Sequence, residues 1–514
     1  MLDSTPVLGY AWGRIRDQQA GETVAKPVLD KDLKKLTRLE SGIETLSRRL
    51  VPFGLGLLFL VFVGLLAAGI VGIDGRWAIV VAATVIGGYM ALNIGANDVA
   101  NNMSPAVGSR VFTITTAVAV AALFEAAGAI LAGGDVVTTI SSRLITPEVT
   151  ADAGAIVTLM VAALFAGALW INLATWIGAP VSTTHSVVGG VLGAGLAIAG
   201  FGAVNWGKVL EIVASWVISP VLGGLFAAGL LYYIKRTVLN APDKRLAARK
   251  RVPLLLALMG GAFTTYLLMK GLKHVYPVPF WLTLVAGVAA GALVHLSSRP
   301  YIERRLRDLP DRKASVGELF TLPVIFGAAL LSFAHGANDV ANAIGPLAAI
   351  HAAIADATVG PRVGVPIWVL VVGALGISAG LALYGPRLIR TVGHKITKLN
   401  RVRAYCVTLS AAVTVIVASA LGLPVSSTHI ALGALFGVGF LREILANSDR
   451  SGRRAATLEN GGRKAARKRQ KRRLVRRSHL MTIVAAWVIT VPVSAALAAL
   501  ITFGIAESGI VLLD

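Results

Sequence analysis

Cysteine is nearly missing: Cys406 stands alone in 514 residues. That excludes an internal disulfide framework and a cysteine-based zinc site. Charge is scarce too. Charged residues make up 15% of the chain, against about a quarter in soluble globular proteins, which excludes a soluble enzyme and a disordered scaffold. No HExxH, P-loop or GxSxG motif supports an enzyme. Acidic residues run short: 26 Asp plus Glu face 49 Lys plus Arg, for a formal net charge of +23. That excess suggests a nucleic-acid partner only until the positions of the charges are read.

What is abundant is apolar length. Hydrophobic residues make up 55% of the chain and the mean hydropathy is +0.73. Thirteen apolar stretches are long enough to span a bilayer as helices, which takes about 20 residues. They start near Pro52, Trp77, Val111, Ala153, Val181, Lys208, Pro253, Val278, Glu318, Gly364, Arg403, Pro424 and Leu480. The first fifty residues are polar and basic, without a short apolar core and cleavage site, so no removable signal peptide is expected.

Most of the basic residues fall in five segments: the tail to Arg49, Lys235 to Arg251, Arg299 to Lys313, Arg387 to Arg403, and Arg442 to Arg477. Positive charge beside span ends marks the cytoplasmic side. Six, two, two and two crossings separate these segments, so all five fall on one side. The expectation is a multi-pass protein of the plasma (inner) membrane, N-terminus cytoplasmic and C-terminus outside. Topology thus accounts for the charge, and no nucleic-acid partner is expected. The run Arg463 to Arg477 could still meet RNA or anionic lipid, the solvated, lipid-facing loop being preferred.

The chain repeats itself. Gly95-Ala-Asn-Asp-Val-Ala-Asn101 returns unchanged as Gly336 to Asn342, and Pro180-Val-Ser-Thr-Thr-His185 returns as Pro424-Val-Ser-Ser-Thr-His429. Gly189, Gly193 and Gly195 match Gly433, Gly437 and Gly439. Asp98 lies 84 residues before Ser182 and Asp339 lies 87 before Ser426, so two motifs recur in one order at one spacing. By the charge topology the two copies enter the membrane from opposite sides. Inverted repeats of this kind are typical of secondary transporters, whose site lies at the repeat interface near mid-membrane. The resulting division is a cytoplasmic tail (1–50), an added span (52–73), a first repeat (77–233), a linker with two spans and basic loops (234–317), and a second repeat (318–514) interrupted by the basic loop 442–478.

Each motif carries chemistry. An Asp inside an apolar span costs at least ~2.5 kcal/mol to insert. Asp98 and Asp339 each have an Asn beside them (Asn97, Asn338) and another three residues on (Asn101, Asn342), which shares their helical face. Gly95 and Gly336 are expected to let the backbone unwind and expose carbonyls. Carboxylate, amide and carbonyl oxygens make a hard-cation site, suited to Na⁺ or a proton. The competing reading is a helix cap at the membrane surface. In the second motif the proline breaks a helix and three hydroxyl residues open a new one, whose first N–H groups are free. Helix dipole and hydroxyls form a seat for a tetrahedral oxyanion, against the plainer reading of N-capping. His185 and His429 fit a metal or proton-relay role less well than a hydrogen bond that stiffens the hairpin. Glu125 has no partner in the other copy: aligning Gly128 with Gly380 places Ile377 opposite it. It is a coupling-ion ligand or proton carrier on one reading, a satisfied buried carboxyl on the other.

At these residues the sequence resembles the inorganic phosphate transporter (PiT) family. GANDVANNMSPAVGSR from Gly95, GANDVANAIGPLAAI from Gly336, PVSTTHSVVGG from Pro180 and PVSSTHIALGA from Pro424 carry the resemblance. It implies an all-α integral membrane protein of about 12–13 transmembrane helices, in two inverted-topology repeats with broken helices or helical hairpins. It implies a symporter that imports inorganic phosphate with Na⁺ or H⁺ by alternating access, with no other cofactor and a homodimer as a family-level expectation. By resemblance, Ser182, Thr183, Thr184, Ser426, Ser427 and Thr428 surround phosphate beside Asp98 and Asp339. Asp98, Asn101, Asp339 and Asn342 ligate the cation, Na⁺ included, with Asn97, Asn338 and Glu125 completing that group. Asn102-Met103 departs from the small residues usual at that place. Two other functions compete: a sulfate or related oxyanion permease on the same scaffold, and a passive anion channel or phosphate sensor.

Overall fold

A backbone N–H or C=O surrounded by apolar side chains has only its own chain to pair with, so long apolar stretches fold as helices. The structure, a computed structural model, describes residues 28–179, 181–271, 278–356, 364–395, 399–459 and 477–508. The tail before residue 28, Pro180 and most of the Arg463 to Arg477 run lie outside the described residues. The chain divides into two units, 1–54 and 55–514. In the first, the described part is the start of α1 (Val28–Val71).

The second unit is helical. Its long helices are the end of α1, then α2 (Trp77–Gly108), α3 (Ile114–Ala132), α4 (Ala153–Ile177), α5 (Thr183–Ala199), α6 (Trp206–Ile234), α7 (Lys244–Tyr266), α8 (Phe280–Arg307), α9 (Thr321–Asp339), α10 (Ala341–Asp356), α11 (Ile367–Lys395), α12 (Arg401–Ala420), α13 (Ser427–Glu459) and α14 (Arg477–Glu507). Strand pairing among the described residues is limited to one bridge between Ile145 and Val204. Among the described residues, thirteen segments are long and apolar enough to cross a membrane, one for each stretch expected from sequence. Burial ranks them. The span Thr321–Ala355, made of α9 and α10, is 89% buried, whereas Leu50–Val71 is 17% buried. The centre is therefore the second acidic motif, and the added first span lies at the periphery.

Glycines set the closest helix contacts, and they do so twice in one register. Gly95 on α2 leaves no room for a Cβ against the Ile377 carbonyl of α11, and Gly380 on α11 meets Leu92 of α2 the same way. Gly336 on α9 meets the backbone of Glu125 on α3, and Gly128 on α3 meets Phe333 on α9. Counted from Asp98 and Asp339, Leu92 and Phe333 are the same position. Likewise Gly189 and Gly193 on α5 abut Val491 and Ala495 of α14, as Gly433 and Gly437 on α13 abut Pro220 and Gly224 of α6. Each repeat thus lends two helices to the other: α3 and α6 pack on α9 and α13, and α11 and α14 pack on α2 and α5.

This corrects the expectation for Gly95 and Gly336. The backbone does not unwind at either. Helix α2 runs unbroken through Gly95, and the second copy breaks at Val340, past Gly336. Both glycines are there because a neighbouring carbonyl occupies the space of a side chain. The breaks expected ahead of the hydroxyl motifs are present. Gly178 (φ +74) ends α4 and Gly422 (φ +69) follows α12. Both are left-handed, a conformation that favours glycine.

Candidate substrate and cation site

The start of α5, the start of α13, the middle of α2 and the α9–α10 junction converge. Asp98 and Asp339 are both fully buried, and each is held by a hydroxyl of its own repeat and one of the other. Asp98 accepts from Thr183 Oγ1 at 2.9 Å and from Thr428 Oγ1 at 2.9 Å. Asp339 accepts from Ser427 Oγ at 2.5 Å and from Thr184 Oγ1 at 3.5 Å. The amide groups follow the same pattern. Asn101 Nδ2 donates to Thr428 Oγ1 at 2.8 Å, and Asn342 Nδ2 donates to Thr184 Oγ1 at 3.1 Å. The hydroxyl residues sit at helix starts because Ser182 and Ser426 cap them, accepting from the backbone N–H of His185 and His429 at 3.2 Å each.

The remaining expected residues divide. Asn97 turns toward the end of α4, donating to Thr175 Oγ1 and the Ala179 carbonyl, and bonds to neither carboxylate. Asn338 donates to Asp339 and to the Val425 carbonyl, and its own oxygen accepts from Ser419. That oxygen is therefore occupied. Ser419 holds in its repeat the place of Thr175 in the other. Ser182 and Ser426 spend their oxygens on the caps. The oxygens of Asn101 and Asn342, like those of Asn97 and Asn102, are buried without a hydrogen-bond partner among the described residues, and these two amides also contact Asp98 and Asp339. A buried unpaired acceptor costs about 1–3 kcal/mol. Beside a carboxylate, such an oxygen is what a hard cation takes as a ligand, so the residues present fit the cation expected.

One residue of the site was not expected. His335, on α9 one turn before Asp339, is fully buried. Its Nε2 lies 2.8 Å from Asp339 Oδ2 and 3.8 Å from Asp98 Oδ2, and its Nδ1 lies 3.2 Å from Glu125 Oε2. Ligand atoms of Asp98, His335 and Asp339 all lie within 4.8 Å of one another. Glu125 also accepts from Asn102 Nδ2 at 2.8 Å, which gives the departure at Asn102 a function in holding the acid. The position matching His335 in the first repeat is Ile94, as Ile377 matches Glu125. These two polar exceptions to the repeat therefore meet at the site, one from each copy.

His429 corrects a further expectation. Among the described residues the His429 ring nitrogens have no hydrogen-bond partner, so that ring does not stiffen its hairpin by hydrogen bonding, and His185 turns toward the Trp487 backbone of α14. The rings stack instead. Trp216 lies 3.8 Å from His185, His185 meets His429 edge-on at 4.4 Å, and His429 lies 3.6 Å from Trp487. Trp216 Nε1 donates to the Pro424 carbonyl at 2.9 Å. Four rings in a row thus tie the starts of α5 and α13 together behind the hydroxyls.

Residues 94–498 match the phosphate transporter family, an interval that includes both acidic motifs, both hydroxyl motifs, Glu125 and His335. The chain belongs to that family. The phosphate transporter fold accounts for the thirteen apolar helices, and the protein is a multi-pass membrane protein. A Helicobacter pylori (strain J99) protein named "Putative phosphate permease" is 45% identical over 91% of this chain and 98% of its own length. "Inorganic phosphate transporter 2-1, chloroplastic" of Arabidopsis thaliana is 35% identical over 82% of this chain and 71% of its own. A solved structure described as the sodium-dependent phosphate transporter superposes with a TM-score of 0.74, at 34% identity, covering 84% of this chain and 99% of that one.

Proposed function

We propose that the protein is a symporter that imports inorganic phosphate together with Na⁺ or H⁺ across the plasma (inner) membrane. The observation that carries this reading is a charge imbalance. Three buried carboxylates, Asp98, Glu125 and Asp339, surround one imidazole, that of His335. Even a doubly protonated ring leaves an excess of two negative charges. Unpaired buried carboxylates are costly, and an incoming phosphate would be repelled. Cations or protons on the carboxylates remove both penalties, so cation and anion bind together or not at all.

The hydroxyls supply the exchange. Thr183, Thr184, Ser427 and Thr428 are donors committed to the carboxylates. A cation that takes over a carboxylate frees these donors for the oxygens of phosphate. Phosphate near neutral pH retains a proton that it can donate to a carboxylate, and sulfate does not. The two repeats cross the membrane in opposite directions and exchange access by moving against each other. The sodium dependence named for the solved relative supports Na⁺ as the coupling ion.

The test is uptake of labelled phosphate into proteoliposomes under an imposed Na⁺ gradient, an imposed pH gradient, or neither, with excess sulfate as competitor. Uptake driven by one gradient and resistant to sulfate is the expected result. Flux indifferent to both gradients would identify a channel. Block by sulfate would identify an oxyanion permease.

A further inference from the structure

Helices α7 and α8 form a tightly packed pair outside both repeats. Gly261 lies against the Gly287 carbonyl, and Gly291 against that of Ala257. Close packing ends where the side chains become basic. There the first turns of α7 and the later turns of α8 enclose a cavity of about 440 Å³ lined by Leu246, Arg249, Lys250, His295 and Arg299. That volume falls within the roughly 300–1,000 Å³ typical of small-ligand sites.

The lining is unbalanced. Arg249 pairs with Glu303 at 2.8 Å. Lys250 and Arg299 have no acidic partner among the described residues, and His295 Nδ1 is buried without a hydrogen bond. Two cations and an imidazole therefore face a space that holds no protein anion. The surroundings are apolar. Leu254 and Leu258 lie one and two turns beyond Lys250 on α7, while Leu293 and Leu296 precede Arg299 on α8, and all four are exposed by more than half. A basic cavity at the end of an exposed apolar helix pair matches a ligand with an anionic head and hydrocarbon tails.

We propose that this cavity is a binding site for the headgroup of an anionic phospholipid, whose acyl chains lie along the apolar faces of α7 and α8. Basic pockets between membrane helices bind such headgroups. Lys250 and Arg299 grip the phosphodiester, the Arg249–Glu303 pair forms the wall, and Leu246 closes the apolar side. The site is separate from Asp98 and Asp339 and does not depend on the transport reading.

The experiment compares retention of phosphatidylglycerol and phosphatidylcholine by the purified full chain, by native mass spectrometry. The proteins are wild type and K250Q/R299Q, which leaves the Arg249–Glu303 pair intact and so preserves the fold. Wild type is expected to retain phosphatidylglycerol in preference to phosphatidylcholine. The variant should lose that retention at least about tenfold, with unchanged melting temperature. Equal retention of the two lipids by wild type, or undiminished phosphatidylglycerol on the variant, would overturn the proposal. Displacement of the bound lipid by millimolar inorganic phosphate would overturn it too, by making the cavity a site for soluble anions.

Discussion

Glu125 and His335 stand 3.2 Å apart, fully buried, one from each repeat. Where the repeat would place their counterparts there are two isoleucines, Ile377 and Ile94. This local break in symmetry yields a direct test. Removing one partner of a buried ion pair costs about 3–5 kcal/mol, whereas replacing both with apolar groups is often neutral or stabilising. E125Q and H335Q should each lower the melting temperature by several degrees. The double variant E125I/H335I also takes the imidazole from Asp339, as H335Q does, but leaves no unpartnered Glu125, so it should melt below wild type and no lower than H335Q. It should still lose phosphate uptake. Thermal unfolding in detergent and proteoliposome uptake read the two effects separately.

The carboxylates at the centre predict a second separation of fold from function. Asp98→Asn and Asp339→Asn keep an acceptor for Thr428 and Ser427 while deleting the charge that draws a cation. Both variants should fold and both should reduce uptake at least a hundredfold. Well-folded D98N or D339N protein with normal uptake would remove the basis for cation coupling.

Thr428 and Thr184 join each repeat to the carboxylate of the other. Val has nearly the shape of Thr without the hydroxyl, and a hydrogen bond to a charged group is worth about 1.5–3 kcal/mol. T428V removes contacts at 2.9 and 2.8 Å; T184V removes a longer one to Asp339 at 3.5 Å, with those to Asn342 and the Val425 carbonyl at 3.1 Å each. Both should raise the KM for phosphate, T428V by roughly tenfold or more and T184V by less.

The four-ring stack distinguishes packing from proton transfer. H185F/H429F preserves aromatic faces against Trp216 and Trp487 and eliminates every titratable nitrogen. Uptake is expected to persist within a few-fold in this variant and to collapse in H185A/H429A. Loss of uptake in the phenylalanine variant, with an unchanged melting temperature, would assign the rings a proton-carrying role.

Glycine packing gives a stability prediction with an internal control. Gly128→Ala and Gly336→Ala each drive a Cβ into the carbonyl of a facing helix, at Phe333 and Glu125. Overpacking of this kind costs about 1–3 kcal/mol. Gly229, on α6, has open space around it, and Gly229→Ala should be neutral or stabilising by up to about 1 kcal/mol. Melting temperatures of the three variants decide.

All thirteen spans were readable because apolar length is a property of composition, which needs no partner to be seen. The carboxylates and hydroxyls were readable because each occurs twice. His335 was not, because it stands one residue outside the repeated motif and opposite Ile94. The available signal was helical phase: it precedes Asp339 by four, so the two share a face. The function of Gly95 and Gly336 was hidden for a different reason. A glycine that admits a neighbour's carbonyl looks in sequence like a glycine that permits a bend, and only the facing helix separates the two cases.

The exchange of helices between repeats also sets when the protein can be finished. Asp98 is made 330 residues before Thr428, which donates to it. At about 5–20 residues per second of synthesis, the carboxylate waits roughly 15–65 s for that hydroxyl. Its helix meanwhile presents Gly95 to a neighbour, α11, not yet translated. The first repeat cannot close its own core while it is being made. Maturation is therefore late and collective, and the nascent chain must hold an incomplete acidic helix in the bilayer until the last third of the protein arrives.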